Sequence, residues 1–130
     1  MQTEMNGLAC TRRDNDTLVA FSHEKSVSLQ RLASLAPRLE QIASFNRTDP
    51  TRLLFRGEFL LVAERDLAAK NYSIVSFRAT GNALTESRML LDARGSVYVG
   101  AWAFAGDRLV VSEWNMADWT TGDLLVYHFA

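Results

Sequence analysis

Two places in the chain set oxygen donors close together after an apolar run: Glu64 with Asp66, and Glu113 with Asn115. Carboxylate and amide oxygens are the donors a hard cation such as Ca²⁺ takes, but it takes about six to eight of them. The plainer use of such acids is to cap strand ends or pair with arginines, so no metal site is assigned and no cofactor is expected. Zinc chemistry lacks its ligands, because Cys10 is the single cysteine and His23 and His128 stand far from it and from each other. Ser22-His23-Glu24 contains the residue types of a hydrolase triad. On a strand, however, neighbouring side chains point to opposite faces, and a triad must hydrogen-bond in series. His128, within an apolar terminal run, reads as structural. The seven glycines fall singly at turns, so there is no phosphate-binding loop. No catalytic residue is assigned. The tryptophans are the better lead. Trp114 and Trp119 bracket Asn115-Met116-Ala117-Asp118, and a loop tryptophan buries a large area with few rotatable bonds. Trp114, Asn115, Asp118 and Trp119 are therefore the candidate binding residues, with sugar stacking as one version of the idea. Trp102 and Trp114 fit a core equally well.

The rest of the composition narrows the class. At 130 residues, 48% apolar and 22% charged, the chain fits a single folded domain over 1–130. A net charge of −1 provides no drive toward nucleic acid or an anionic membrane. Lys25 and Lys70 are the only lysines, and the arginines are scattered among acids rather than gathered in a stripe. One cysteine cannot form an internal disulfide. The opening MQTEMNGLAC lacks a basic start followed by an apolar run, and no stretch approaches the ~20 apolar residues of a membrane helix. A cytoplasmic or nuclear location is the expectation.

The elements that must position these residues come in repeats. GEFLLVAE from Gly57 matches GDRLVVSE from Gly106, an offset of 49 residues that sets Glu64 against Glu113. Each segment is followed by a second alternating run, Tyr72 to Arg78 and Asp123 to Phe129. A fainter copy aligns Asp16-Thr17-Leu18-Val19-Ala20-Phe21 with Glu58 to Ala63, an offset of 42. These periods suit one sheet unit of ~40–50 residues. Three units follow, roughly 7–45, 51–91 and 96–130, each opening on an inner strand: Leu8 to Thr11, Leu53 to Arg56 and Val97 to Phe104. Turn signals separate the runs at Asp14-Asn15-Asp16, Gly81-Asn82, Asp92 to Gly95, Gly106-Asp107 and Thr121-Gly122-Asp123. The alternation predicts that Leu60, Val62, Leu109 and Val111 occupy equivalent buried positions. One segment speaks for a different class: Leu29, Leu32, Leu35, Leu39 and Ile42 recur at helical spacing, and Pro37 would break or open a helix there. An α+β fold with a helix or helical hairpin within 26–45 is the alternative.

The second and third units resemble β-propeller blades of the lactonase or WD-repeat-like kind. An acidic turn precedes an apolar strand that ends in a small residue and Glu (Ala63-Glu64, Ser112-Glu113), and an alternating strand and a Gly-led turn follow. The Trp-Asp pair of WD repeats is missing, since Asp118-Trp119 is reversed and lies in a loop. The resemblance implies an all-β fold of three antiparallel blade-like sheets and transfers no catalytic residue. Three blades do not close a ring, which needs about four or more. The expected role is thus a non-catalytic protein-binding or scaffold module that completes a ring with itself or a protein partner. A lactonase-like hydrolase assembled from several chains and a carbohydrate-binding module using the loop tryptophans are the alternatives.

Overall fold

The computed structural model describes residues 5–13, 15–33, 38–80, 83–118 and 120–129. The described residues form eleven strands and no helix. They fall into three antiparallel sheets in chain order. The first holds β1 (Met5–Arg13), β2 (Asp16–His23), β3 (Ser26–Ala33) and β4 (Leu39–Asn46). The second holds β5 (Pro50–Arg56), β6 (Phe59–Asp66), β7 (Asn71–Thr80) and β8 (Ala83–Gly95). The third has three strands, β9 (Val97–Ala105), β10 (Arg108–Asn115) and β11 (Thr121–His128). Every sheet is a simple up-and-down meander. β1 packs beside β5, and β5 beside β9. The protein is an all-β, propeller-like array of three blades, named blades 1 to 3 below.

Turn chemistry enforces the meander. Two-residue turns join β5 to β6 and β9 to β10, with Gly57 at φ 55° and Gly106 at φ 64°. Tight hairpin turns demand positive φ, which glycine adopts without a Cβ clash. Glu24, in the two-residue turn between β2 and β3, takes φ 51° without being glycine.

The helical spacing of leucines after Ser26 is overruled by strand pairing. β3 pairs with β2 and with β4 along its length. Val27 and Leu29 are buried against blade 2, whereas Leu32 lies opposite Thr17 on the other face. Leucines three apart on a strand necessarily diverge in this way. Ile42 packs against the core and Leu39 is exposed. Leu35 and Pro37 lie outside the described residues, as do Gly81 and Asn82.

The core lies between the blades in two layers. The first combines Leu18, Ala20, Val27 and Leu29 of blade 1 with Leu53, Leu60, Val62, Val75 and Phe77 of blade 2. The second combines Leu61, Ala63, Tyr72, Ile74 and Leu90 of blade 2 with Val99, Leu109 and Val111 of blade 3. Leu60 and Val62 thus face the preceding blade, and Leu61 and Ala63 the following one, which explains the unbroken apolar run in β6. Leu60, Val62, Leu109 and Val111 are all 0% exposed and all face the preceding blade, as their shared repeat positions predict.

The first copy of the repeat needs a correction. β1 and β2 pair with Asp16 opposite Arg13, just as Phe59 faces Arg56 and Arg108 faces Ala105. Asp16 is therefore equivalent to Phe59, one position along from the Glu58 of the sequence alignment. A one-residue slip exchanges the two faces of a strand. Leu18 and Ala20 accordingly match Leu61 and Ala63, which face the following blade, and Val19 and Phe21 match Val62 and Glu64.

Candidate interaction site

Each junction between blades carries one carboxylate, buried in Glu113 and half-buried in Glu64, held by an arginine from the blade before it. Glu64, on β6, accepts from Arg47, which lies just past the end of β4. Arg47 Nη2 reaches Glu64 Oε2 at 3.0 Å, and its Nε bonds the other oxygen. Glu113, on β10, accepts from Arg94, near the end of β8, at 2.6 and 2.9 Å. This fork-to-fork geometry is the strong form of a charge-assisted hydrogen bond. Glu113 is 1% exposed and receives a third bond from the Tyr72 hydroxyl at 2.6 Å. Burial drives its carboxyl upward, but the hydrogen bonds from Arg94 and Tyr72 and the Arg94 charge outweigh that and hold it below the usual value. The same pair drives the Tyr72 hydroxyl the other way: burial first, then the Glu113 bond and charge, raise it. The pairing uses the two acids that the sequence marks as oxygen donors. Asp66 is engaged too, accepting from the Ala69 amide at 3.0 Å. Among the described residues, no cluster of three or more metal-ligating side chains occurs.

The loop candidates are built from short local bonds. Asn115 Oδ1 accepts from the Ala117 amide at 2.8 Å. Asp118 Oδ1 accepts from the Thr120 hydroxyl at 2.6 Å and amide at 3.0 Å, and these bonds hold its carboxyl below the usual range. Trp119 lies outside the described residues. Trp102 packs into the junction with blade 2. His128 Nε2 sits 2.7 Å from Asp107 Oδ2, with both groups exposed.

Trp114 is the candidate with a distinct setting. It lies on β10 next to Glu113 and opposite Tyr98 of β9. There it fills the space over Gly100; a Cβ at that glycine would come within 1.8 Å of the indole Nε1. Its repeat equivalent is Arg65, whose guanidinium lies 5.3 Å over the Tyr98 ring of the next blade. The position thus reaches toward a following blade, and in blade 3 the following face is open.

The middle of that face is apolar. Two cross-strand rows run over it, Ala103–Val110–Val126 and Ala101–Ser112–Leu124, and a polar row, Ala105–Arg108–His128, closes it at the turn end. Leu124 is 70% exposed and Val126 58%, while the opposite face of the same strands buries Leu109 and Val111. Blade 1 has the other uncovered face, where Leu8 lies opposite Phe21 and Cys10 opposite Val19. Leu8 is 60% exposed and Cys10 is an exposed free thiol. Leu124, Val126, Arg47, Arg94 and Tyr72 escape a sequence reading. Only the spacing of Arg47 and Arg94, which tracks that of Glu64 and Glu113, hints at the clasps.

No family model matches this chain, and no curated protein matches it. Among solved structures it is similar to the computationally designed Ika4 protein, at 13% identity and a TM-score of 0.48, covering 100% of this chain and 94% of that one. It is also similar to Kluyveromyces lactis Hsv2, at 13% identity and a TM-score of 0.47, covering 95% of this chain and 37% of that one. Hsv2 with loop 6CD replaced by a Gly-Ser linker gives 12% identity and a TM-score of 0.49, with coverage of 98% and 40%. The chain spans about two fifths of the length of these Hsv2 structures.

Proposed function

We propose that this chain is a non-catalytic protein-binding module whose propeller-like blades complete a ring through the open face of blade 3. The observation that carries the reading is the row structure of that face. Leu124 and Val126 are exposed on a sheet whose other side is core, and adjacent exposed aliphatic rows mark an association surface. Trp114, half-buried over Gly100 at the end of the face, is a ready anchor of the kind that dominates interface energetics.

The competing hydrolase reading needs free acids and bases converging on a cavity. A cavity of about 640 Å³, open at the rim between blades 1 and 2, is lined by Asp49, Arg65 and Asp66 among others. Arg65 pairs with Asp49 there at 3.0 Å, and Asp66 caps its own turn. These side chains serve the loops that carry them.

The test is Leu124→Glu with Val126→Glu, compared with the parent chain for binding of an apolar fluorescent dye and for mass by light scattering. The substituted protein is expected to stay folded, because both side chains point away from the core, and to lose dye binding or association. A substituted protein unchanged in both measurements would refute the reading.

A further inference from the structure

Resting on that association reading, we infer that the open face of blade 3 is covered by blade 1 of a second copy of this chain. Two copies then close a six-bladed ring through two equivalent head-to-tail junctions. The chain itself supplies the template. Blade 1 joins blade 2, and blade 2 joins blade 3, by the same rule: the following-side face of one blade packs on the preceding-side face of the next. The two faces left over are a following-side face on blade 3 and a preceding-side face on blade 1. They are the two halves of one more such junction, continuous with those already made. A head-to-tail contact of this kind closes under two-fold symmetry when the blade number suits the ring.

Two observations show that these halves fit each other. The first is the clasp. A preceding-side face carrying Glu64 or Glu113 demands an arginine from the blade before it, because a buried carboxylate without a partner is strongly unfavourable. In blade 1 the register places Phe21 at that position, stacked on His23 with ring centres 6.1 Å apart. Blade 1 therefore asks for no arginine. Blade 3 has none to offer there, since the only arginine or lysine of 96–130 is Arg108, beside the β9–β10 turn. The second is charge. Residues 7–45 hold five basic and four acidic side chains, a net of +1; residues 96–130 hold one basic and four acidic, a net of −3. Opposite net charge on the two ends favours their encounter over that of like ends.

The register also names a contact. Ala101 stands in blade 3 where Ala9 stands in blade 1, each four residues before the last paired residue of its strand (Ala105 and Arg13), and Cys10 stands where Leu53 stands in blade 2. Ala9 packs against the cluster that holds Leu53. Ala101 of one copy should therefore meet Cys10 of the other.

The experiment is mild copper-phenanthroline oxidation of Ala101→Cys, alongside light scattering of the unmodified full chain. The expected mass is twice 14.6 kDa. Ala101→Cys should form a covalent dimer on a non-reducing gel, and Ala101→Cys with Cys10→Ser should not. Leu124→Glu, folded by circular dichroism, should weaken the dimer by at least about tenfold. Cross-linking that persists without Cys10 shows third blades meeting each other and overturns the proposal. A monomeric parent chain overturns it as well. If that monomer binds an apolar dye in a Leu124-dependent way, the association reading stands without the second copy; if it does not, both fall.

Discussion

Glu113 concentrates more of the chemistry of this fold than any other single side chain. Its carboxylate is buried and takes three hydrogen bonds, two from Arg94 and one from Tyr72. Removing Arg94 leaves a buried charge with only the Tyr72 bond. Arg94→Ala is expected to cost about 3 kcal/mol, the lower end of the range for breaking a buried pair, because the Arg94 side chain is 41% exposed and water can enter its place. Tyr72→Phe deletes one bond to a charged acceptor and should cost about 2 kcal/mol. Denaturant titration reads both. The acid response has a definite sign. The folded carboxyl lies below its ordinary value of 4.5, so its stabilising contribution is complete above that value and is lost as pH falls through the lower, folded one. Glu113→Gln should be less stable at neutral pH and should lose stability less steeply below the carboxylate range. An equally steep acid slope in that variant would show that other groups carry the response.

At the scale of the element, β10 and its neighbours show what a sequence can and cannot reveal. The repeat in GEFLLVAE and GDRLVVSE locates β6 and β10, and it assigns Leu60, Val62, Leu109 and Val111 to the core, because a shared glycine turn fixes the parity of both strands. The copy in blade 1 lacks that glycine. Its apolar residues occupy both faces, so an alignment shifted by one residue looks almost as good, and only the hairpin register decides. The leucines of β3 and β4 mimic a helix because three-residue spacing is agnostic until a partner strand is in place. The clasping arginines are illegible for another reason: Arg47 and Arg94 lie 17 and 19 residues from their acids, far beyond any local motif. The open face hides in β11, where the run Leu124-Leu125-Val126-Tyr127 is apolar on both sides and only packing tells in from out. Gly100 makes the sharpest test at this scale. A methyl group there collides with the Trp114 indole, whereas one at Gly95 meets nothing within 4 Å. Gly100→Ala should therefore shift tryptophan emission and lower stability by about 1–3 kcal/mol, while Gly95→Ala should leave the emission unchanged. Leu109→Ala, at a fully buried site, should cost about 3 kcal/mol.

The described residues form a stack in which, among them, only the middle blade is covered on both sides. Blade 2 buries Leu60 and Val62 against blade 1 and Leu61 and Ala63 against blade 3, while each end blade has one face in a junction and one uncovered. Local opening requires loss of the packing that holds a segment, so the cost of opening should rise toward the middle of the stack. β6 and β7 are interior strands of blade 2, paired on both edges, and their amides should exchange with solvent only through global unfolding. Among the described residues β11 pairs on one edge alone and exposes Leu124 and Val126, so its amides should exchange first. The proposed association would change this order in a specific way. Docking of a second copy would cover the face of β9, β10 and β11 that faces away from blade 2, and it would cover β1 and β2 on the other end. Hydrogen exchange followed by mass spectrometry across a dilution series should then show protection in 97–105, 121–128 and 5–23 that rises with protein concentration, against constant protection in 59–66 and 71–80. Protection that is uniform along the chain and independent of concentration would mean that the three blades open as one body and that neither end face is covered.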